Sequence, residues 1–554
     1  MIKFEDWKPS GGLNLEPNAE IAATSRAGSI ALMAGPGAGK TEMLAQRADF
    51  LLRTGACSYP KRILAISFKK DASDNLKKRV EARCGKELAS RFDSCTFHAF
   101  SKRIIDIFRP SLSGDEALDE NYTIEKYRKH RIQITLNDLV PLANKIIEHC
   151  PVARNSIRQT YSDVFLDEFQ DCTKTQYALV KNAFLGSNIR LVAVGDTKQK
   201  IMGWAGALEG VFLKFENDFN AISLNLYQNF RSQQRIRRVQ NTMIRDIDPL
   251  AAVDDEQLIG DGGTVAIKNF LTEIEEANWI ADSIQSWFGA GMPLSEIAIL
   301  CNTQPHFYAY HLMKELGRRN IPFRNEQVVQ NLFCEPIYRI IVDYLIVLLG
   351  NSEPDAWEGL TLAIFPDDYE DISGTKTRAW VQFIENQQAL LNGTDDFIVV
   401  WRTVEELIQR IGNGVIAALS HDYENSERFT ELVKQIKDQV QCCFDGNTGV
   451  IESLNSLSEV HAVRILTIHK CKGLEFDTVV IQGVERQTYF GKKQDSECAY
   501  FVALSRAKQQ LVVTTSEFRE KLPGANNYWE CSRMPHHQFL IYVEPHVGGA
   551  EYTG

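Results

Sequence analysis

The sequence predicts an α/β fold: two parallel sheets with helices on both faces, each interrupted by a mainly helical insertion. Three observations carry this. Short apolar runs alternate with amphipathic stretches, the pattern of strands joined by crossover helices. Polar clusters follow directly on those runs, where the carboxyl ends of parallel strands gather ligands. The theme then occurs again in the second half of the chain.

The elements follow in order. Residues 1–28 are polar, with a helix expected from about Pro17 to Arg26. Ser29–Met33 reads as a strand, then a glycine-rich turn and a helix to Leu52. Arg62–Phe68 is a second strand, and Asp71–Cys84 an amphipathic helix. Asp163–Asp167 is a strand ending in carboxylates, and Arg190–Val194 one ending in Gly195-Asp196. In the second half, Glu276–Phe288 and Tyr308–Arg319 read as helices around a strand at Glu296–Leu300. Val463–Ile468, Thr478–Ile481 and Gln510–Thr514 are further strands. The resulting division puts 1–98 and 155–225 in the first domain, with an insertion at 99–154. The second domain takes 226–335 and 460–554, with an insertion at 336–459.

The chain has 554 residues, 44% hydrophobic and 24% charged, which excludes global disorder and low-complexity architectures. Its 61 Lys and Arg against 72 Asp and Glu give −11, so it is no general polycation. Nucleic acid would have to be met by a local groove. The 12 cysteines form no C-x-x-C pair, which argues for a reduced, cytoplasmic protein without a zinc ribbon. The opening MIKFEDWK carries charges where a signal peptide needs an apolar core. The most apolar run, Ile337–Leu349, is broken by Arg339 and Asp343 and reads as a buried helix rather than a membrane span.

Two clusters carry chemistry. Gly35-Pro36-Gly37-Ala38-Gly39-Lys40-Thr41 lies between a strand and a helix. Glycines there let successive backbone N–H groups converge on phosphate oxygens, and the helix adds its positive end. Lys40 would reach the β- and γ-phosphates, and Thr41 would ligate Mg²⁺. Asp167 and Glu168 close an apolar strand. Nucleotide hydrolysis needs one carboxylate on Mg²⁺ and another to orient or deprotonate water, roles that suit Asp167 and Glu168 respectively.

Eight segments in order resemble the motifs of superfamily 1A DNA helicases of the UvrD/Rep/PcrA type. They are AGPGAGKT (34–41), ILAISFKKDASDNL (63–76), CTFHAF (95–100), LDEFQD (166–171), VGDTKQKIMGWAGA (194–207), LYQNFRS (226–232), VRILTIHKCKGLEFD (463–477) and YFVALSRAKQQL (500–511). The resemblance implies two RecA-like P-loop NTPase domains with ATP and Mg²⁺ bound in the cleft between them. It makes Gln199 a γ-phosphate sensor, Phe230 the aromatic that stacks on adenine, and Glu475 a ribose contact. Arg231 and Arg506 become arginine fingers that neutralise transition-state charge. It lays a single-stranded DNA track over Ser67, Phe68, Thr96, His98, Trp204, Thr467 and His469, with Trp204 the chief stacking side chain. The implied activity is ATP-driven 3′→5′ translocation and strand separation, on single-stranded DNA and tailed duplexes.

The chain also departs from the pattern. Leu15–Glu20 holds no Gln, so Asn18 or Glu20 would have to read adenine. Glu42 follows Thr41 where relatives often carry a basic residue. Met202 and Ala205 stand where an aromatic and an Arg are usual. Both insertions are short. Compact helicases of this kind occur with a separate nuclease or ATPase partner, as in Gabija-like anti-phage systems, alongside roles in DNA repair. The alternative reading is therefore a DNA-sensing ATPase subunit that gates a partner nuclease.

Overall fold

A computed structural model describes residues 2–549 apart from 27, 69, 125–126, 201–206, 327–334, 351–353, 365–374, 392–393, 395, 420–422, 424–425, 446–449, 452–453, 455–461 and 526–527. Contacts divide the chain into two compact units: Met1–Gly263 with Phe490–Lys508, and Thr264–Tyr489 with Gln509–Gly554.

The first unit contains β1 (Ile30–Ala34), β2 (Arg62–Ser67), β3 (Phe92–Thr96), β4 (Leu118–Ile124), β5 (Arg131–Ile134), β6 (Tyr161–Leu166), β7 (Arg190–Gly195) and β8 (Ile222–Leu226). Six of these form one sheet in the order β3-β2-β6-β7-β1-β8, with parallel pairings throughout. The central strands are apolar at almost every position because both faces are covered. Alternate residues serve opposite cores. Ile30, Leu32, Ile63, Ala65, Phe165, Val192 and Val194 pack under the phosphate-loop helix. Ala31, Leu64, Ile66, Val164, Leu166, Leu191 and Ala193 pack on the other face. The two edge strands, β3 and β8, are the ones the apolar-run pattern misses. Their sequences, FDSCT and ISLNL, mix polar and apolar residues.

The 99–154 segment contains helical residues of Phe97–Phe108, the helix Leu136–His149 and the β4–β5 pair, a strand pair that the expected mainly helical insertion does not specify. Its apolar residues, among them Ile134, Leu139 and Ile146, enter the same core as the sheet. Residues 226–263 and 490–508 also group with this unit, although the sequence division put them in the second domain. Phe230 N–H to Gly37 O at 2.9 Å and Arg506 Nη2 to Gln199 Oε1 at 2.6 Å tie the two segments to the rest of the unit, and further polar contacts tie them to each other. Ser232 Oγ donates to the Ala507 carbonyl at 2.7 Å, Gln233 N–H to Lys508 O at 2.8 Å, and Gln240 Nε2 to Leu504 O at 3.3 Å.

The second unit contains β9 (Thr264–Thr272), β10 (Ile297–Cys301), β11 (Phe323–Asn325), β12 (Val463–Thr467), β13 (Phe476–Gln482) and β14 (Ala507–Phe518), which enters it at Gln509. The sheet order is β11-β12-β10-β13-β14-β9. β10 runs parallel to β12 and β13, β11 to β12, and β14 to β9. A buried ion triad fastens the end of β14: Arg519 lies 2.9 Å from Glu276 and 2.7 Å from Glu485. The helices between Pro336 and Asp445 gather their own core, from Ile337 to Leu454, separate from the sheet's. Helix Pro336–Leu349 is buried there as expected. Among the described residues no helix is long and apolar enough to cross a membrane.

Candidate nucleotide and DNA site

Strand order dictates what meets at the carboxyl edge of the first sheet. Reading across it, Thr96 ends β3 and Ser67 ends β2. Asp167 and Glu168 follow β6, Asp196 and Gln199 follow β7, Gly35–Thr41 follow β1, and Tyr227–Arg231 follow β8. With strands about 4.8 Å apart, the loops after β1 and β6 lie about 10 Å apart with β7 between them. The expected nucleotide residues thus follow β6, β7, β1 and β8, and the expected DNA residues Ser67, Phe68, Thr96 and His98 follow or end β2 and β3.

The phosphate loop turns out of β1 and enters the helix Lys40–Arg53. Gly37 and Gly39 have φ of 67° and 75°, which disfavour a side chain. At Gly37 the need is also steric. A Cβ there would collide with Asn229 Oδ1 and lie 2.6 Å from Arg231 Cβ. The segment after β8 lies directly on the loop: Phe230 N–H donates to Gly37 O at 2.9 Å. Asn229 Oδ1 accepts the N–H groups of Arg231 (2.9 Å) and Ser232 (3.1 Å), shaping that turn. Phe230 projects 64% exposed beside the loop, available to stack on a base. Glu16 holds the same segment from the other side by accepting Tyr227 and Gln228 N–H. Its burial pushes its pKa up, against the pull of those two bonds.

The carboxylates are joined to the next strand by a chain of hydrogen bonds. Glu168 adopts a left-handed backbone, φ 50°, and its N–H donates to Asp167 Oδ1 at 3.0 Å. Gln170 Nε2 donates to Glu168 Oε2 at 2.5 Å, while Gln170 Oε1 accepts Asp196 N–H at 3.0 Å. A Cβ at Gly195 would collide with Gln170 Oε1, so this bond needs glycine at the end of β7. Asp196 Oδ2 accepts Gln199 Nε2 at 2.9 Å, and Gln199 Oε1 accepts Arg506 Nη2 at 2.6 Å. Arg231 Nη1 donates to the adjacent Ser505 carbonyl at 3.0 Å. Gln170, Asp196, Gln199 and Arg506 are all buried. Lys198 bridges Asp196 and Asp248 at 3.2 and 3.3 Å; burial works against its charge, but the two carboxylates hold its pKa above the usual lysine range.

The structure therefore brings Gly35–Thr41, Asp167, Glu168, Gln199, Phe230, Arg231 and Arg506 into one unit. Thr41 at the helix start and Asp167 at the strand end suit the oxygen-only ligand set that Mg²⁺ prefers. Gln170, Asp196 and Asn229 were not among the expected site residues. The first two stand inside quoted motifs, but nothing in their spacing shows that they meet. Of the two expected base readers, Asn18 spends its N–H on the Asn225 carbonyl at 2.7 Å, and Glu20 is exposed. Glu42 turns to Arg83 and Arg79, at 2.9 and 3.2 Å; burial works against its charge, but these partners hold its pKa below the usual range.

The expected DNA residues are placed unevenly. Ser67 is fully buried, its hydroxyl without a hydrogen-bond partner. Phe68 is half-buried beside it. Thr96 caps the helix Phe97–Phe108 by accepting Ala99 N–H at 3.2 Å, and His98 is exposed on its first turn. Trp204, Met202 and Ala205 lie outside the described residues. In the second unit Thr467 ends β12 and accepts Lys470 N–H at 3.3 Å, with His469 half-buried next to it. Glu475 precedes β13, at the amino end of that sheet, on the opposite edge from Thr467.

The UvrD/REP helicase N-terminal domain matches residues 15–135 and 111–220, and the UvrD-like helicase C-terminal domain matches 224–360 and 450–517. The ATP-dependent DNA helicase PcrA of Leuconostoc citreum is 24% identical over 661 residues, covering 98% of this chain and 86% of the relative. The protein of the same description from Staphylococcus epidermidis is 23% identical over 618 residues, covering 91% and 84%.

Proposed function

Because the chain belongs to the UvrD/Rep helicase family, we propose that it is an ATP-dependent DNA helicase that moves 3′→5′ along single-stranded DNA. The observation that carries the proposal is the bonded chain Glu168–Gln170–Asp196–Gln199–Arg506, which ties the proposed hydrolytic carboxylate to the loop after β7 and to Arg506.

Each residue has a task in this reading. The N–H groups of Gly35–Gly39 and the helix start cradle the phosphates, and Lys40 reaches the outer two. Thr41 and Asp167 would hold Mg²⁺, which neutralises phosphate charge when bound. Glu168 orients the attacking water and takes its proton. Arg231 and Arg506 offset the charge that develops on the transferred phosphoryl group. Phe230 stacks on the base. Gln199 is bonded to Arg506 and to Asp196, so a shift at the nucleotide is felt by the loop after β7. Phe68, Thr96, His98, Trp204, Thr467 and His469 take the DNA strand. Residues 99–154 and 336–459 are the helicase insertions 1B and 2B of this proposal. The described cysteines carry free thiols, which supports a cytoplasmic setting.

The test is ATPase rate against added single-stranded DNA, paired with unwinding of 3′-tailed and 5′-tailed duplexes. Stimulation with unwinding of the 3′-tailed substrate alone is the expected result. Stimulation without unwinding would support the sensor that gates a partner nuclease, in repair or anti-phage defence. No stimulation would sink both. Lys40→Ala should abolish turnover. Glu168→Gln should still bind ATP and stop hydrolysis; normal hydrolysis by that variant would remove the base from Glu168. Trp204→Ala should weaken single-strand binding by ~1–3 kcal/mol at fixed salt.

A further inference from the structure

The second unit holds a group of side chains able to ligate a metal that stands outside the eight helicase motifs. Glu273 opens the helix Glu273–Gly289 directly after β9 and is 7% exposed. Its Oε1 accepts the backbone N–H of Glu520 at 2.7 Å, just beyond β14. Its Oε2 is buried and has no hydrogen-bond partner. His311, on the first turn of the helix Tyr310–Arg318, sets Nε2 3.7 Å from Glu273 Oε1. That nitrogen is also buried and lacks a hydrogen-bond partner. The two can form a long ion pair when the imidazole is protonated, but 3.7 Å is beyond a hydrogen bond. Glu520 adds a third ligand from the surface, and one donor atom from each residue falls within 4.8 Å of the others.

We propose that Glu273, His311 and Glu520 bind a divalent transition-metal ion of the Zn²⁺ class. A cation would give both orphaned atoms a partner at once. The donor set selects the class. Mg²⁺ and Ca²⁺ favour oxygen-only shells, whereas one imidazole with two carboxylates suits Zn²⁺ or Co²⁺. Three protein ligands leave a fourth position for water. Ligands of a tetrahedral ion with ~2.0 Å bonds lie about 3.3 Å apart, so the pair needs to close only slightly. Glu520 is exposed and free to adjust. The ion would clamp the exits of β9 and β14 to the helix Tyr310–Arg318, fastening the segment that follows β14.

The experiment uses the full chain, tag removed, stripped with chelator and held in excess Mg²⁺, which competes for oxygen-only sites. Co²⁺ is titrated and followed by visible absorption, with Zn²⁺ as competitor by calorimetry. We expect one ion per chain with a low-coordinate cobalt spectrum, and a rise in melting temperature on adding Zn²⁺. His311→Ala should lose the spectrum and the thermal shift. Glu520→Gln keeps the backbone N–H that Glu273 uses, should melt normally without metal, and should bind at least tenfold more weakly. If the parent chain takes up no Co²⁺ in excess Mg²⁺, the proposal is overturned. Uptake undiminished in either variant overturns it equally, and Glu520→Gln carries the test should His311→Ala fail to fold. ATP turnover is not a readout, so failure here leaves the helicase proposal untouched.

Discussion

Gln170 is the residue that bonds Glu168, the proposed catalytic base, to the neighbouring strand. Its amide is used at both ends, on Glu168 and on the Asp196 N–H, and it is 1% exposed. It touches neither nucleotide nor DNA in the proposed function, so it acts as a positioning residue. Gln170→Ala should lower kcat roughly 10- to 100-fold, the scale of a misplaced catalytic group, while KM for ATP stays near its parent value. A loss of general structure would move both. Gln170→Glu should put a second carboxylate beside Glu168, raise the pKa of the pair, and shift the acid limb of the pH–rate profile upward. An unshifted limb would remove the link. The sequence shows Lys40, Thr41, Asp167 and Glu168 because residue type and position after an apolar run are enough to identify them. It does not show the Gln170–Asp196 bond, which joins loops of different strands and depends on the bare backbone at Gly195. Nor does it show that Ser67 faces inward, since a serine at a strand end has the same letter buried or exposed.

The elements were legible in proportion to their burial. β1, β2, β6, β7, β10, β12 and β13 are apolar runs because both faces are covered, and the sequence reveals them within a residue or two. The edge strands β3 and β8 carry polar positions, and β11 spans three residues, so the pattern missed them. The two insertions differ in a way composition does not reveal: one shares its sheet's core, the other builds its own. Within that second core, helix Pro336–Leu349 buries Asp343, whose pKa is pushed up to about 6 by burial, against the 3.7 Å pull of Arg339. The folded carboxyl therefore keeps a proton that the unfolded chain releases near its ordinary value. The stability this contributes is complete below about pH 4 and is lost as pH rises through about 6. A shift of this size corresponds to roughly 2–3 kcal/mol. Asp343→Asn should remove that slope, so the variant should melt higher than the parent at pH 7 and 8 and lose the advantage near pH 4. Parallel melting curves across that range would show that the carboxyl is not desolvated.

At the scale of the whole molecule, the nucleotide residues and the second insertion belong to different bodies. Every expected nucleotide residue except Glu475 lies in Met1–Gly263 with Phe490–Lys508, whereas the helices from Pro336 to Asp445 pack around a core that, among the described residues, includes none from either sheet. Hydrolysis and the insertion are therefore separable. Replacing residues 336–459 with a flexible glycine-serine linker should remove one self-contained core and leave the phosphate loop, the carboxylates and the Gln170 bonds as they are. We expect basal ATPase to persist within about twofold, because no group that binds or orients the phosphates is lost. Strand separation on a tailed duplex should change much more than ATPase if the insertion is what meets the duplex, since that step needs a surface beyond the strand-binding edge. Measuring both on one preparation decides between two layouts. Retained ATPase with altered unwinding makes the insertion an accessory on an autonomous motor. Lost ATPase, in a variant whose melting still shows a folded first unit, would mean that the helices support hydrolysis from outside the site, and the separation of bodies would not be a separation of functions.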